Sequence, residues 1–147
     1  VVGHLSNDSS HSDFGRLLFV AQFDVDRFAD VRREVDAAAR QCGLGPEKTV
    51  DFVAAVNEVM TNAIRHGGGS GELRLWQHDH LTCEIRDHGP GFPASGYLSR
   101  SDRPAPSPTG GMGLWIAQQT SDAISINSGA TGTTVRISAA LPPITQR

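Results

Sequence analysis

Residues 51–67 read DFVAAVNEVMTNAIRHG, and the rest of the chain is arranged around them. Val53, Val56, Met60 and Ile64 recur at steps of three and four, which puts them on one face of a helix. Glu58 and Asn62 are four positions apart, so they stack one turn above the other at the edge of that stripe. Held there by a rigid helix, a carboxylate and a carboxamide can hold a divalent cation and activate a hydroxyl or a water. The pair alone also fits a solvated Glu and a boundary Asn.

The 147 residues suffice for one domain with its own core. A net charge of −3 with no basic run argues against a nucleic-acid binder that works by neutralising phosphates. No apolar run approaches the roughly 20 residues of a membrane span, so no membrane association is expected. No export signal follows Val1–Val2, and a cytoplasmic location is the expectation. Cys42 and Cys83 form no CxxC pair and read as reduced thiols.

Residues 1–13, rich in Ser, Asn, Asp and His, read as a disordered lead-in. One folded domain is expected over 14–141, and a tail over 142–147. Residues 16–23 (RLLFVAQF) predict a first strand. Phe28, Val31, Val35 and Ala38 predict a helix over 27–41, with Asp26 as its N-cap and Gly43 as its stop. Gly45-Pro46-Glu47 opens the second helix, and Gly67 to Gly71 ends it.

Residues 72–77 and 81–87 alternate as a hairpin around His78-Asp79-His80. The parity puts Asp87 on the same face as Leu81, Cys83 and Ile85, toward the core. A carboxylate buried there without a partner would cost several kcal/mol, on the order of 3–5, so it wants a donor. His88-Gly89-Pro90-Gly91 forms a tight turn behind it, in which glycine lets a ligand approach the backbone.

Residues 92–109 hold four of the chain's eight prolines and no periodicity, the mark of a lid or binding loop. Thr109-Gly110-Gly111-Met112-Gly113 runs from there into a helical pattern over 114–119. Glycines at a helix start expose N–H groups that suit phosphate. Strands follow at 123–127 and 133–139, and Thr133 shares the inward face of Val135 and Ile137. An inward carboxylate suits the exocyclic amine of a purine, and an Asn carbonyl suits Mg²⁺. Together these describe a nucleotide pocket, although no GxxxxGK[ST] loop occurs.

The order of these motifs resembles the GHKL ATPase superfamily of gyrase, the heat-shock chaperone, histidine kinases and MutL. The N box corresponds to Glu58 through Ala63, with Arg65-His66-Gly67 behind it. The DxGxG box corresponds to Asp87, Gly89 and Gly91, the second glycine box to Gly111-Met112-Gly113-Leu114 after Gly110, and the late Gly-Thr to Gly132-Thr133. Within the superfamily the chain is most similar to the bacterial anti-sigma-factor serine protein kinases. "CGL" before the N-box helix, "RHGG" after it and "GTTVRI" in the last strand carry that likeness. Histidine kinases usually carry Asn four positions before the N-box Asn, and here that position is Glu58.

The resemblance implies a two-layer α/β sandwich, the Bergerat fold, with a largely antiparallel sheet and helices on one face. It implies ATP and Mg²⁺ as cofactors, with Asn62 on the metal, Asp87 on adenine, Glu58 as general base and His66 near the phosphates. Gly89, Gly91, Gly110, Gly111, Met112, Gly113, Leu114 and Thr133 are expected around the nucleotide. The implied partners are a sigma factor, which the protein sequesters, and an anti-anti-sigma protein of the STAS type, which it phosphorylates on serine. A homodimer is a further expectation. The alternatives are a regulatory binding module with little kinase activity, or the ATPase domain of a larger sensor protein.

Overall fold

The computed structural model describes residues 11–91 and 111–143. The lead-in at 1–10, the lid at 92–109 with Gly110, and the tail beyond 143 lie outside the described residues. The elements run β1 (His11–Ser12), β2 (Gly15–Asp24), α1 (Phe28–Gln41), α2 (Pro46–His66), β3 (Ser70–Gln77), β4 (His80–Asp87), α3 (Gly111–Gln119), β5 (Ala123–Gly129) and β6 (Gly132–Ala140). The strands form one sheet in the order β1-β2-β3-β4-β6-β5, and every neighbouring pair is antiparallel. The five expected strands are all present. The short β1 lies within what reads as a disordered lead-in, because it pairs with Gly15 and Arg16 across a turn too short for periodicity to reveal.

Alternation decides which face of the sheet takes the helices. Leu73 and Leu75 on β3, Leu81, Cys83 and Ile85 on β4, and Val135 and Ile137 on β6 are buried in register beneath α1 and α2. Each such apolar side chain contributes about 1.5–3 kcal/mol relative to full exposure. Cys42 and Cys83 are both buried thiols, outside any disulfide. Burial pushes the Cys83 thiol far above its ordinary value, so it packs as a small apolar group.

The stripe of the central helix α2 is wider than the sequence predicts. Phe52, Ala55, Val56, Val59, Met60 and Ala63 are buried, whereas Val53 and Ile64 are only partly so. The helix touches the sheet, α1 and α3 at once, so its apolar face spans more than one row of positions.

The start of α1 also differs from expectation. Asp26 is not the N-cap. Arg27 occupies that position without a side-chain cap bond, and Asp24 Oδ1 accepts from the backbone N–H groups of Asp26 (2.9 Å) and Arg27 (3.0 Å). An Asp can satisfy N–H groups two and three residues ahead, so the acid just before the helix serves better than the one beside it.

The other face of the sheet carries no helix among the described residues, but it is not bare. Phe14 packs on Trp76 with ring centroids 5.2 Å apart, and the Arg136 guanidinium lies 5.2 Å from the Phe14 ring centre. Beneath them Glu84 is buried, 2.8 Å from Arg136 Nε and 3.5 Å from Arg86.

Candidate functional site

The site forms where the C-terminal half of α2 crosses the ends of β4 and β6. Asn62, His66 and Gly67 come from the helix, and Asp87 and Thr133 from the strands; all five line one cleft. Residues far apart in sequence thus converge as the N-box, DxGxG and Gly-Thr motifs require. The cleft holds about 10 Å³, about the space of one water, so a purine enters only if its walls part. A roomier cavity of about 430 Å³ lies elsewhere, between Phe14, His78, Thr82 and Arg136. Size and chemistry disagree here, and the convergence of motif residues makes the smaller cleft the candidate site.

Asp87 stands on the core side of β4, as its parity predicts, and is only 8% exposed. Its donors are backbone groups. Oδ1 accepts from Gly89 N–H at 2.9 Å and from Thr133 N–H at 3.3 Å. Burial raises its pKa above the ordinary value, opposed by these two amides and by the charge of His88. Asp87↔Thr133 is also a register pair of β4 and β6, so the sheet itself aligns the two inward polar groups.

Glycine makes this arrangement possible. A Cβ on Gly67 would collide with the Asp87 carboxyl group, and one on Gly89 would collide with Gly67. The end of α2 therefore closes onto the turn after β4 through two residues without side chains. Gly67 was legible as a helix stop, but its contact with Asp87 was not. Gly91, with φ at +79°, carries the turn onward against Gly129.

Glu58 lies one turn before Asn62 and faces α3. Its Oε1 would be 3.1 Å from a Cβ on Gly113, so only glycine lets the helix come this close without a shift. Desolvation raises the Glu58 pKa, which moves a carboxylate toward the range of a useful general base. Gly111, Met112 and Gly113 are the first three residues of α3, which therefore starts earlier than the expected 114. Leu114 is buried in the core and anchors that helix.

His66 carries a buried Nε2 with no hydrogen-bond partner among the described residues. A buried polar atom left open at the lip of the cleft suits a polar ligand. No group of three or more His, Cys, Asp or Glu side chains gathers for a metal among the described residues. Mg²⁺ needs no such cage, because phosphates and water complete its shell beside one protein oxygen. Asn62 lines the cleft together with Asp87 and Thr133. Ser128 reads from the sequence as the start of the connection after 127, but β5 runs on to Gly129 and includes it. Its Oγ lies 2.7 Å from Thr133 Oγ1, and counting back across the β5–β6 turn would have found the pairing.

With this geometry in view, the family model for the histidine kinase-like ATPase domain matches residues 21–139. The chain belongs to that family. It is a GHKL-type ATP-binding domain, and the antiparallel sheet with helices on one face is the fold expected of it. No curated protein matches significantly. Among solved structures, the mycobacterial sensor histidine kinase MprB is similar at 22% identity and a TM-score of 0.53, covering 86% of this chain and 100% of that one. The histidine kinase domain of the Erythrobacter litoralis EL346 blue-light activated histidine kinase is similar at 18% identity and a TM-score of 0.50. That match covers 76% of this chain and 64% of the Erythrobacter chain, and both likenesses concern the fold. Among the described residues no helix is long and apolar enough to cross a membrane.

Proposed function

We propose that this domain is an ATP-dependent serine protein kinase of the anti-sigma-factor type, sequestering a sigma factor in the cytoplasm and phosphorylating a STAS-type antagonist. The observation that carries the reading is Glu58. A half-buried carboxylate with a raised pKa stands against the start of α3, one turn from Asn62. Bound Mg²⁺ would neutralise phosphate charge, with Asn62 as its protein ligand. Glu58 would then accept the proton of an incoming serine hydroxyl. Phosphoryl transfer needs mainly positioning and charge neutralisation, and these groups provide for both. Asp87 and Thr133 would hold the base, and His66 the phosphates.

A second reading is the ATP-binding domain of a larger sensor histidine kinase. Both structural relatives named above are histidine kinases, which favours it. The presence of Glu58 where those enzymes usually carry Asn favours the first.

The test is phosphotransfer from γ-labelled Mg-ATP to a cognate STAS-type antagonist, run beside a thermal melt. Acid-stable label on a serine of the antagonist is expected, and acid-labile label on histidine would support the second reading. Glu58→Ala should melt like wild type, keep ATP binding and lose about 10²–10⁴ in transfer rate. A folded Glu58→Ala protein that phosphorylates at the wild-type rate rules out the base role.

A further inference from the structure

Three residues from three strands stand in one row on the helix face of the sheet. Asp87 on β4 pairs with Thr133 on β6, and Thr133 pairs with Ser128 on β5. Thr133, in the middle, gives its backbone N–H to Asp87 Oδ1, and its hydroxyl lies 2.7 Å from Ser128 Oγ. Because Gly89 also donates to Oδ1, that oxygen already carries two amide donors. Oδ2, packed against Gly67, is the oxygen left for a ligand. A carboxylate with one open oxygen takes a single N–H. It lacks the two-oxygen fork that would accept the adjacent ring and exocyclic N–H groups of guanine.

The next polar group along the row is the Thr133 hydroxyl, and its direction matters. Two hydroxyls 2.7 Å apart share one proton along their axis, so the choice made by one sets the other. When Ser128 donates to Thr133, Thr133 keeps its own proton to give elsewhere. Ser128 is well placed for a fixed role, since its Oγ would be only 3.1 Å from a Cβ on Gly91 and so lies beneath the glycine turn.

We propose that Ser128 is a base-specificity determinant: by donating to Thr133 it makes that hydroxyl a donor toward the cleft, beside the single open acceptor of Asp87. One acceptor next to one donor complements an exocyclic amine next to an unprotonated ring nitrogen, the edge that adenine presents and guanine does not. The contact to the ring nitrogen is direct or passes through one bridging water. This inference rests on the nucleotide reading of the cleft, and Ser128 acts through Thr133 as a positioning residue.

Ser128→Thr and Ser128→Val test it, because the two replacements share a shape and differ in the hydroxyl. ATP and GTP dissociation constants are measured for each by titration calorimetry on the full chain. Ser128→Thr should keep the wild-type ratio of GTP to ATP constants. Ser128→Val should melt like Ser128→Thr while that ratio drops about threefold to tenfold, the effect of one neutral hydrogen bond. Equal ratios for the two variants overturn the proposal and leave the ATP reading standing. A wild-type chain that binds neither nucleotide overturns both.

Discussion

Asp87 and Glu84 sit three positions apart on β4, both buried and on opposite faces of the sheet. Glu84 is met by two arginines, Arg136 and Arg86, each about half exposed. Asp87 is met by backbone amides on one oxygen and by a glycine on the other. A carboxylate answered by cations has its charge settled within the fold. One answered by amides on a single oxygen keeps charge and a lone pair for something else. The same residue class at the same depth is therefore answered by side-chain cations on one face and only by backbone groups on the other.

The largest effect that tests this contrast is on nucleotide binding. Asp87→Asn replaces an acceptor pair by an acceptor and a donor, and one donor would then face the adenine amine. ATP affinity should fall by about 1.5–3 kcal/mol, with little loss of melting temperature. Titration calorimetry showing unchanged affinity would falsify the adenine assignment.

Glu84→Gln should do the reverse. Its arginine partners can turn to water, so the cost stays below that of orphaning a fully buried charge, at about 1–2 kcal/mol of stability. Denaturant unfolding reads the loss, and ATP affinity should not move. If nucleotide binding weakened as much as folding, the two faces would not be independent.

Gly67→Ala sharpens the contrast from the helix side. The backbone at Gly67 has φ −110°, which alanine adopts freely, so any effect comes from crowding. The added methyl would press on the Asp87 carboxyl group and come within 2.8 Å of the Ala63 carbonyl. ATP affinity should fall by about 1 kcal/mol or more, in proportion to how far the carboxyl is moved. Wild-type affinity would show that the close approach does not shape Asp87.

The smallest effect is one of pH. Burial raises Asp87 above 3.8 and Glu58 above 4.5. An acid with a raised folded-state pKa contributes stability that is complete below its unfolded value and is lost as pH rises through the folded one. The nucleotide-free domain therefore loses this contribution as pH climbs from the unfolded values through the raised ones. On the proposed adenine contact, ATP binding favours ionised Asp87 and should gain over its part of the same window. The ATP-induced rise in melting temperature should grow with pH there, and Asp87→Asn should flatten that growth. Equal slopes for the two proteins would contradict the assignment.

Most of the fold was legible because alternation and helical steps are properties of the chain alone. Asp87 and Thr133 could be placed on the inward face by parity, and the strand pairing then set them opposite each other. What escaped needed distances in space. The close approach of Gly67 to Asp87 depends on how α2 crosses β4, and that of Gly113 to Glu58 on how α3 lies on α2. Asp24 rather than Asp26 serves the entry to α1 because the chain turns there, a matter of backbone path that residue type does not reveal.

The chain's two tryptophans fall on different sides of this architecture. Trp76 is buried under Phe14 on the open face, and Trp115 lies two residues beyond Gly113 on α3. Indole emission responds to its immediate surroundings. Light from Trp115 would follow events at the glycine-rich helix start, while Trp76 supplies a nearly constant background. The protein thus carries its own optical reporter, and Trp115→Phe is the dark control that assigns the signal.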